Sequence, residues 1–324
     1  MHAYIIRRLL LIIPTLLLVS LIIFFTVRFI PGDVIELMVQ ESGAEALGSE
    51  EEQEAAFAAM RQKMGLDVPV HIQYCRWIGN IVSHGDLGKS LWSGRSATKM
   101  ITERLPVSFE LGLLAIIIAL LIALPVGVYS AVRQDTVGDY IGRSFAIACI
   151  ALPSFWIGTM VMVYPSVWWG WTPSVEYIPI IENPGKNLIQ FILPAFILGM
   201  VMSGQTMRMS RTMMLEVLRQ DYIRTAWSKG LKERVVVTRH ALKNALIPVV
   251  TIVGLQLPIV VGGSVVIEQI FCLPGLGILL IEVLNTRDYL VLSGLNLFMA
   301  AVVLVSILAT DLTYGFLDPR VRYV

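Results

Sequence analysis

The residues able to do bond-making chemistry are few and do not converge. The four histidines, His2, His71, His84 and His240, are scattered and form no H-E-x-x-H pair. No G-x-S-x-G nucleophile elbow and no G-x-x-x-x-G-K-[ST] phosphate loop occurs, so the chain has no P-loop with which to bind ATP. Cys75, Cys149 and Cys272 contain no C-x-x-C pair and fit neither a disulfide framework nor a metal site. Cys149 lies in an apolar run and reads as a small core residue, while pairing of Cys75 with Cys272 stays open. A catalytic site needs nucleophile, base and stabiliser within reach of one another, and no such set is visible. The chain therefore reads as a non-enzyme with no cofactor of its own.

What does stand out is charge in one place. Arg208 to Val250 holds nine Lys/Arg (Arg208, Arg211, Arg219, Arg224, Lys229, Lys232, Arg234, Arg239, Lys243) against Glu216, Asp221 and Glu233. Leu215, Leu218, Tyr222 and Ala226 recur at helical steps and predict one apolar face. Gly230 is placed to stop that helix at a C′ position. Lys232–Asn244 reads as a second short helix, and Leu246-Ile-Pro248 opens the next apolar run. Such a helix–Gly–helix unit fits a groove on a partner protein. A basic interfacial helix resting on anionic lipid is the alternative.

The elements carrying this stretch are membrane spans. Of 324 residues, 56% are hydrophobic and 15% charged, against about 45–50% and 25% in soluble domains. Net charge of +1 carries no signal for nucleic acid, and none is expected as a partner. Leu9–Ile30, Phe109–Val132, Ile141–Trp168, Leu188–Met207, Ala245–Ile267 and Leu290–Phe316 are each long enough to cross a bilayer. The predicted fold is all-α and polytopic, with six transmembrane helices, one outer segment and a cytoplasmic coupling helix. The expected division is a first span at 1–30, an outer segment at 31–107, a five-span core at 108–317 with its loop at 208–246, and a tail at 318–324.

The basic start with Arg7 and Arg8 and the apolar run after it resemble a signal peptide, but the core is too long and no A-x-A site follows. An uncleaved first span is expected. Six spans put both termini on one side. Arg133, Arg143, the nine bases of the central stretch, and Arg320 with Arg322 then all fall in the cytoplasm, as the positive-inside rule asks. The outer segment is acidic, eleven acids to seven bases. Within it Gly48–Lys63 reads as a helix, and Gly85–Gly88 and Ser93-Gly94 as turns.

Charge is nearly absent inside the spans. Glu110 and Glu268 sit at predicted outer ends and Asp311 near an inner end, where pairing with a nearby Arg is expected. Proton and ion relays normally require mid-membrane charge, so a self-sufficient carrier is disfavoured. Energy is expected from a partner. Pro125, Pro153, Pro194 and Pro258 are candidate kinks. Gln256, Gly262, Gly263, Ser264 and Asn296 are candidates for the path, with helix–helix hydrogen bonding and close packing as the alternative.

Asp-Tyr-Ile-Arg-Thr-Ala-Trp-Ser-Lys-Gly-Leu at 221–231, followed by Arg239-His-Ala-Leu-Lys-Asn-Ala-Leu-Ile-Pro-Val-Val-Thr251, resembles the cytoplasmic signature of ABC-importer permeases. More narrowly it is similar to the B-type subunit of the dipeptide/oligopeptide/nickel family. Arg224-Thr225-Ala226 stands where the general motif has Glu-Ala-Ala, and Gly230 is its glycine. Phe29-Ile-Pro-Gly-Asp33, His84-Gly-Asp-Leu-Gly88, Glu268-Gln-Ile-Phe with Pro274-Gly-Leu-Gly277, and Asp318-Pro-Arg-Val-Arg322 carry the resemblance along the chain. Trp227 departs from it, standing where small or basic residues are usual.

The resemblance implies a permease in the cell inner membrane. Its implied partners are the lipid bilayer, a second homologous permease, two ABC ATPase subunits that bind ATP and Mg, and an extracytoplasmic substrate-binding protein. Asp221, Tyr222, Arg224, Thr225, Ala226, Gly230 and Leu231 become the expected ATPase contact. Di- and oligopeptides are the expected cargo, with nickel chelates, glutathione and oligosaccharides as alternatives within the family.

Overall fold

The computed structural model describes residues 2–29, 66–172, 176–262 and 264–317, with positions 55, 58, 59, 61 and 62. Of the predicted helix at Gly48–Lys63 only positions 55, 58, 59, 61 and 62 are among these residues, and they are helical. Ile30 to Asp33, Gly263 and the tail from Asp318 lie outside them.

The described chain is helical. Its elements are α1 (His2–Arg28), α2 (Val70–His84), α3 (Ala97–Val132), α4 (Val137–Ala151), α5 (Ser154–Trp169), α6 (Pro184–Leu218), α7 (Asp221–Ser228), α8 (Glu233–Val235), a π-helical turn (Val236–Ala241), α9 (Leu242–Gly262), α10 (Val265–Ile270), α11 (Leu276–Asn285) and α12 (Tyr289–Leu317). Among the described residues five helical runs are long and apolar enough to cross a membrane, and the bent pair α4–α5 makes six if counted as one span. The polytopic all-α fold expected from composition is thus present.

The spans differ from their predicted forms. The second begins at Ala97 rather than Phe109, within the segment expected to lie outside the membrane. The third is broken. Leu152 precedes Pro153 and is held extended at φ −83°, ψ 121°, because a proline ring clashes with a helical residue before it. α4 and α5 consequently meet at 88°. Pro125, Pro194 and Pro258 all lie inside continuous helices. The fourth span does not stop at Met207 but runs to Leu218, 35 residues in all. At 1.5 Å per residue that is about 52 Å, well beyond a hydrocarbon core of about 30 Å. The fifth ends at Gly262 rather than Ile267.

Local chemistry fixes the helix starts. Asn183 accepts the Lys186 N–H at 3.0 Å and Pro184 occupies the first turn, opening α6. Thr136 accepts the Asp139 N–H at 3.4 Å, opening α4.

Packing divides the chain into two compact units. One is built from the start of α1 up to Arg7, Val107–Gly277 and the end of α12 from Val302. Its largest core joins α3, α6, α9 and α10 through Leu111, Phe191, Ile197, Val260, Ile267 and Leu273. Backbones approach closely here. A methyl group on Gly199 would lie 2.7 Å from the Ala115 carbonyl, and one on Gly204 would lie 2.9 Å from the Ala146 carbonyl.

The same unit contains a buried polar node. Glu268, fully buried, accepts the Ser108 hydroxyl at 2.7 Å and the Gly277 N–H at 2.8 Å. Ser108 in turn accepts the Leu276 N–H at 2.8 Å. Glu268, expected at the end of the fifth span, lies beyond that helix in α10 and is enclosed by these contacts.

The other unit comprises the described parts of Arg8–Pro106 and Ile278–Ala301. Phe24, Trp77 and Leu297 form its core, and Trp77 donates to the Leu87 carbonyl at 3.0 Å. Gly85, Gly88 and Gly94 have φ of 65°, 113° and 67°, so the predicted turns are turns that favour glycine. Asp288 is buried between α11 and α12. It accepts the N–H groups of Leu91 at 3.2 Å and Val291 at 3.5 Å, and the Ser90 hydroxyl. Burial raises its carboxyl above the ordinary value of 3.8, against the pull of those hydrogen bonds. Cys75, Cys149 and Cys272 are free thiols.

Candidate functional site

The basic stretch is not a loop between spans. Arg208 to Leu218 continues α6, and only Arg219 and Gln220 separate it from α7. The second short helix expected at Lys232–Asn244 is instead α8 running without interruption through the π-helical turn into α9. The free segment shrinks to Lys229–Lys232, centred on Gly230.

The break at Arg219-Gln220 resets the helical phase, which alters which residues face inward. Leu215 and Leu218 belong to α6, Tyr222 and Ala226 to α7. On α7 the buried pair is Ile223 and Ala226, three residues apart and so on one face. They pack into a core with Ala131, Met214, Val236, Val237, Ala241 and Ala245. Fully burying an isoleucine stabilises by roughly 1.5–3 kcal/mol, so α7 is fixed to the spans rather than hung from them.

The opposite face is open. Tyr222 and Trp227 are 44% and 42% exposed, and Asp221, Arg224, Thr225, Gly230 and Leu231 are exposed with them. Ala226 is turned inward, so its small size serves packing against the chain's own helices. Tyr222 accepts the Asn244 side-chain amide at 2.8 Å, tying the outer face of α7 to the start of α9. Arg224 faces Asp221 at 3.4 Å on open surface, and Glu233 faces Arg133 at 3.3 Å. Exposed pairs of this kind are worth little, which leaves these charges available to a partner.

Gly230 has φ +73° with nothing within 4 Å of where a side chain would begin. Its N–H bonds the Trp227 carbonyl at 2.9 Å. This is the left-handed stop expected of a C′ glycine, required by backbone conformation and not by crowding.

Gln256 is buried and donates to the Met202 carbonyl at 3.2 Å and toward Thr206 Oγ1 at 3.5 Å, a tie between α9 and α6. Asn296 donates to the Leu292 carbonyl of its own helix at 2.9 Å. Gly262 ends α9 and Ser264 precedes α10; Gly263 lies outside the described residues. Among the described residues no three His, Cys, Asp or Glu side chains cluster as metal ligands do.

Two features escaped the sequence reading. One is the Glu268 node. The other is a buried ion pair between Asp139 on α4 and Arg211 on α6, with Arg211 Nε to Oδ1 at 2.8 Å and Nη2 to Oδ2 at 2.7 Å. Thr136-x-x-Asp139 is a recognisable helix-start signal, but nothing local announces a partner 72 residues away.

Residues 123–323 match the family described as binding-protein-dependent transport system inner membrane component, and residues 1–112 match its N-terminal component. The oligopeptide transport system permease protein AppB of Bacillus subtilis is 42% identical over the full length of both chains. A putative peptide transport system permease protein of Brucella abortus is 39% identical, again over both full lengths. The dipeptide transport system permease protein DppB of Escherichia coli is 37% identical over all of this chain and 99% of its own. A solved amino acid ABC transporter with histidines matches at TM-score 0.49 and 15% identity, covering 69% of this chain and 94% of that one.

Proposed function

The chain belongs to the family of binding-protein-dependent transport system inner membrane components, as an ABC-importer permease of the peptide transport group, and on that premise we propose how it works. It forms one half of a heterodimeric pore with a second, homologous permease. A substrate-binding protein delivers di- or oligopeptides to the outer face. Two ATPase subunits, which hold ATP and Mg, bind α7 on the inner face and supply the energy. Both termini lie in the cytoplasm.

One observation carries this reading. α7 is a short helix locked to the spans by Ile223 and Ala226 while Tyr222, Arg224, Thr225, Trp227 and Leu231 project outward. A rigid knob with an open polar and aromatic face suits a groove on another protein. ATP binding in the partners closes them, the knobs follow, and the spans pass between outward-open and inward-open states. The nucleotide drives transport only by binding the two global states with different affinity.

Peptide is the proposed cargo because the relatives named above are called peptide, oligopeptide and dipeptide permeases. Nickel chelates, glutathione and oligosaccharides are tested against it by competition for uptake of a labelled dipeptide.

The direct test places a cysteine at Trp227 and asks whether it crosslinks to the ATPase in the assembled importer. The companion variant is Arg224→Glu, which inverts charge on the exposed face and leaves Ile223 and Ala226 in place. Loss of ATPase co-purification and of uptake in R224E, with the chain still inserted, is the expected result. Full co-purification and uptake, with no crosslink from position 227, would remove α7 as the contact.

A further inference from the structure

We infer that Asp139 and Arg211 are positioning residues that bind α4 and α6 into one rigid body, so that a displacement applied at α7 also moves α4. The inference rests on the assignment of α7 as the ATPase contact.

The geometry of the pair differs from that of the Gln256 tie to α6. Asp139 is 0% exposed and Arg211 is 20% exposed at its side chain. The two bonds run in parallel, fork to fork, at 2.8 and 2.7 Å. Such pairs fix orientation as well as distance. The Asp135 N–H adds a third bond to Oδ2 at 3.1 Å, which seats the carboxylate from its own turn. Separating the pair would leave the enclosed Asp139 carboxylate without its guanidinium, both bonds being lost together. By contrast, α9 is tied to α6 through the neutral Gln256 amide on a backbone carbonyl at 3.2 Å.

A second contact holds the other end of α4. A methyl group on Gly204 would come within 2.6 Å of Ile150 Cγ1 and 2.9 Å of the Ala146 carbonyl. Gly204 and Arg211 are about two turns apart on α6. α4 is therefore held on α6 near its beginning by charge and near its end by backbone contact, which prevents it from pivoting about either point. Cys149 and Ala146 pack on Met207 between them.

The placement gives this rigidity a use. From Arg211, α6 continues to Leu218 and only Arg219 and Gln220 intervene before α7. At its far end α4 stops at the Leu152-Pro153 break, where the chain turns by 88° into α5. A stiff arm that ends at a break of one or two residues is the arrangement from which hinge motion arises. α5 in turn packs on α10, with Gly158 facing Ile267 and Ile270.

The test uses the complete importer, with its partner permease, ATPases and binding protein, reconstituted in vesicles. Peptide moved per ATP hydrolysed is measured per correctly assembled complex. A merely structural role would lower the yield of complex and leave this ratio alone. Asp139→Asn and Arg211→Gln each break the pair. The double variant D139L/R211M replaces it with apolar side chains, a change that buried pairs often tolerate without loss of folding. The expected ratio falls roughly fivefold or more in all three, with the double variant no worse than either single. W227C crosslinking to the ATPase, run in the same chains, is expected to persist.

A wild-type ratio in D139L/R211M with the crosslink intact would overturn the clamp alone. Absence of the crosslink in the otherwise unaltered W227C chain would remove the α7 contact, and the proposed route with it.

Discussion

Ser108 on α3 donates its hydroxyl to Glu268 on α10 at 2.7 Å, across 160 residues of sequence and with both side chains fully buried. The serine also accepts the Leu276 N–H, and the glutamate accepts that of Gly277. One carboxylate thus satisfies a hydroxyl and a backbone amide where water is excluded. Gly275 lies against the pair, since a methyl there would come within 2.5 Å of both Glu268 Oε2 and Ser108 Oγ.

Glu268→Gln keeps the volume and one acceptor oxygen. Its oxygen can serve Gly277 while its amide donates to Ser108 Oγ. Glu268→Ala leaves both donors without this acceptor and opens a void. The first is expected to cost about 1 kcal/mol and the second about 3–5 kcal/mol. Thermal unfolding of the detergent-solubilised chain checks this: a Gln variant as stable as wild type would show that the carboxylate's hydrogen bonds add nothing over an amide's, and equal losses in the two variants would show that the void adds nothing.

Ile223 provides a complementary test on α7. It is completely buried beside Met214 and Val236. Ile223→Ala is expected to cost about 2–5 kcal/mol if the cavity does not collapse. Trp227→Ala, on the exposed face, is expected to stay within about 0.5 kcal/mol of wild type. Comparing the two melting temperatures decides whether α7 is held from the side the structure indicates. A Trp227 loss as large as that at Ile223 would reverse the assignment.

Gly230 is constrained by its backbone, and its surroundings are empty. Asparagine enters left-handed conformations more easily than β-branched residues do. Gly230→Asn is therefore expected to cost about 1 kcal/mol or less and Gly230→Val roughly 1–2 kcal/mol or more. Crowding would produce equal losses, so the ranking on thermal unfolding separates conformation from space.

These residues also show what a single sequence can and cannot carry. The apolar runs are legible because a bilayer demands about 20 apolar residues in a row, and the Gly230 stop is legible because its signal is local. Of the apolar face predicted from Leu215 to Ala226, Leu215, Leu218 and Ala226 pack on one core while Tyr222 turns outward, because the run crosses a helix break at Arg219-Gln220. Pro153 breaks its span while Pro194 and Pro258 sit within theirs. Nothing in the residue itself tells these apart, since neighbouring helices decide whether a freed carbonyl is satisfied. Asp139–Arg211 and Ser108–Glu268 join residues 72 and 160 apart. Their meeting depends on how helices pack, which periodicity along one helix does not encode.

Asp288 gives a pH-dependent prediction with a definite sign. Its folded carboxyl titrates above the ordinary value of 3.8, chiefly because burial penalises the charged form, while Ser90, Leu91 and Val291 oppose the rise. The folded chain therefore holds this proton at pH values where the unfolded chain has released it. Stability from this group is fully present below the unfolded value. It is lost as pH rises from there through the folded value, and it changes no further above that. Asp288→Asn keeps an acceptor for the backbone amides and cannot titrate. The melting temperature of the wild type minus that of D288N is expected to fall as pH rises from about 3.8. Taking the difference removes the contributions of the other carboxylates. A difference that climbs over that interval would mean that the hydrogen bonds from Ser90, Leu91 and Val291 outweigh desolvation, and that the carboxylate is the form the fold prefers.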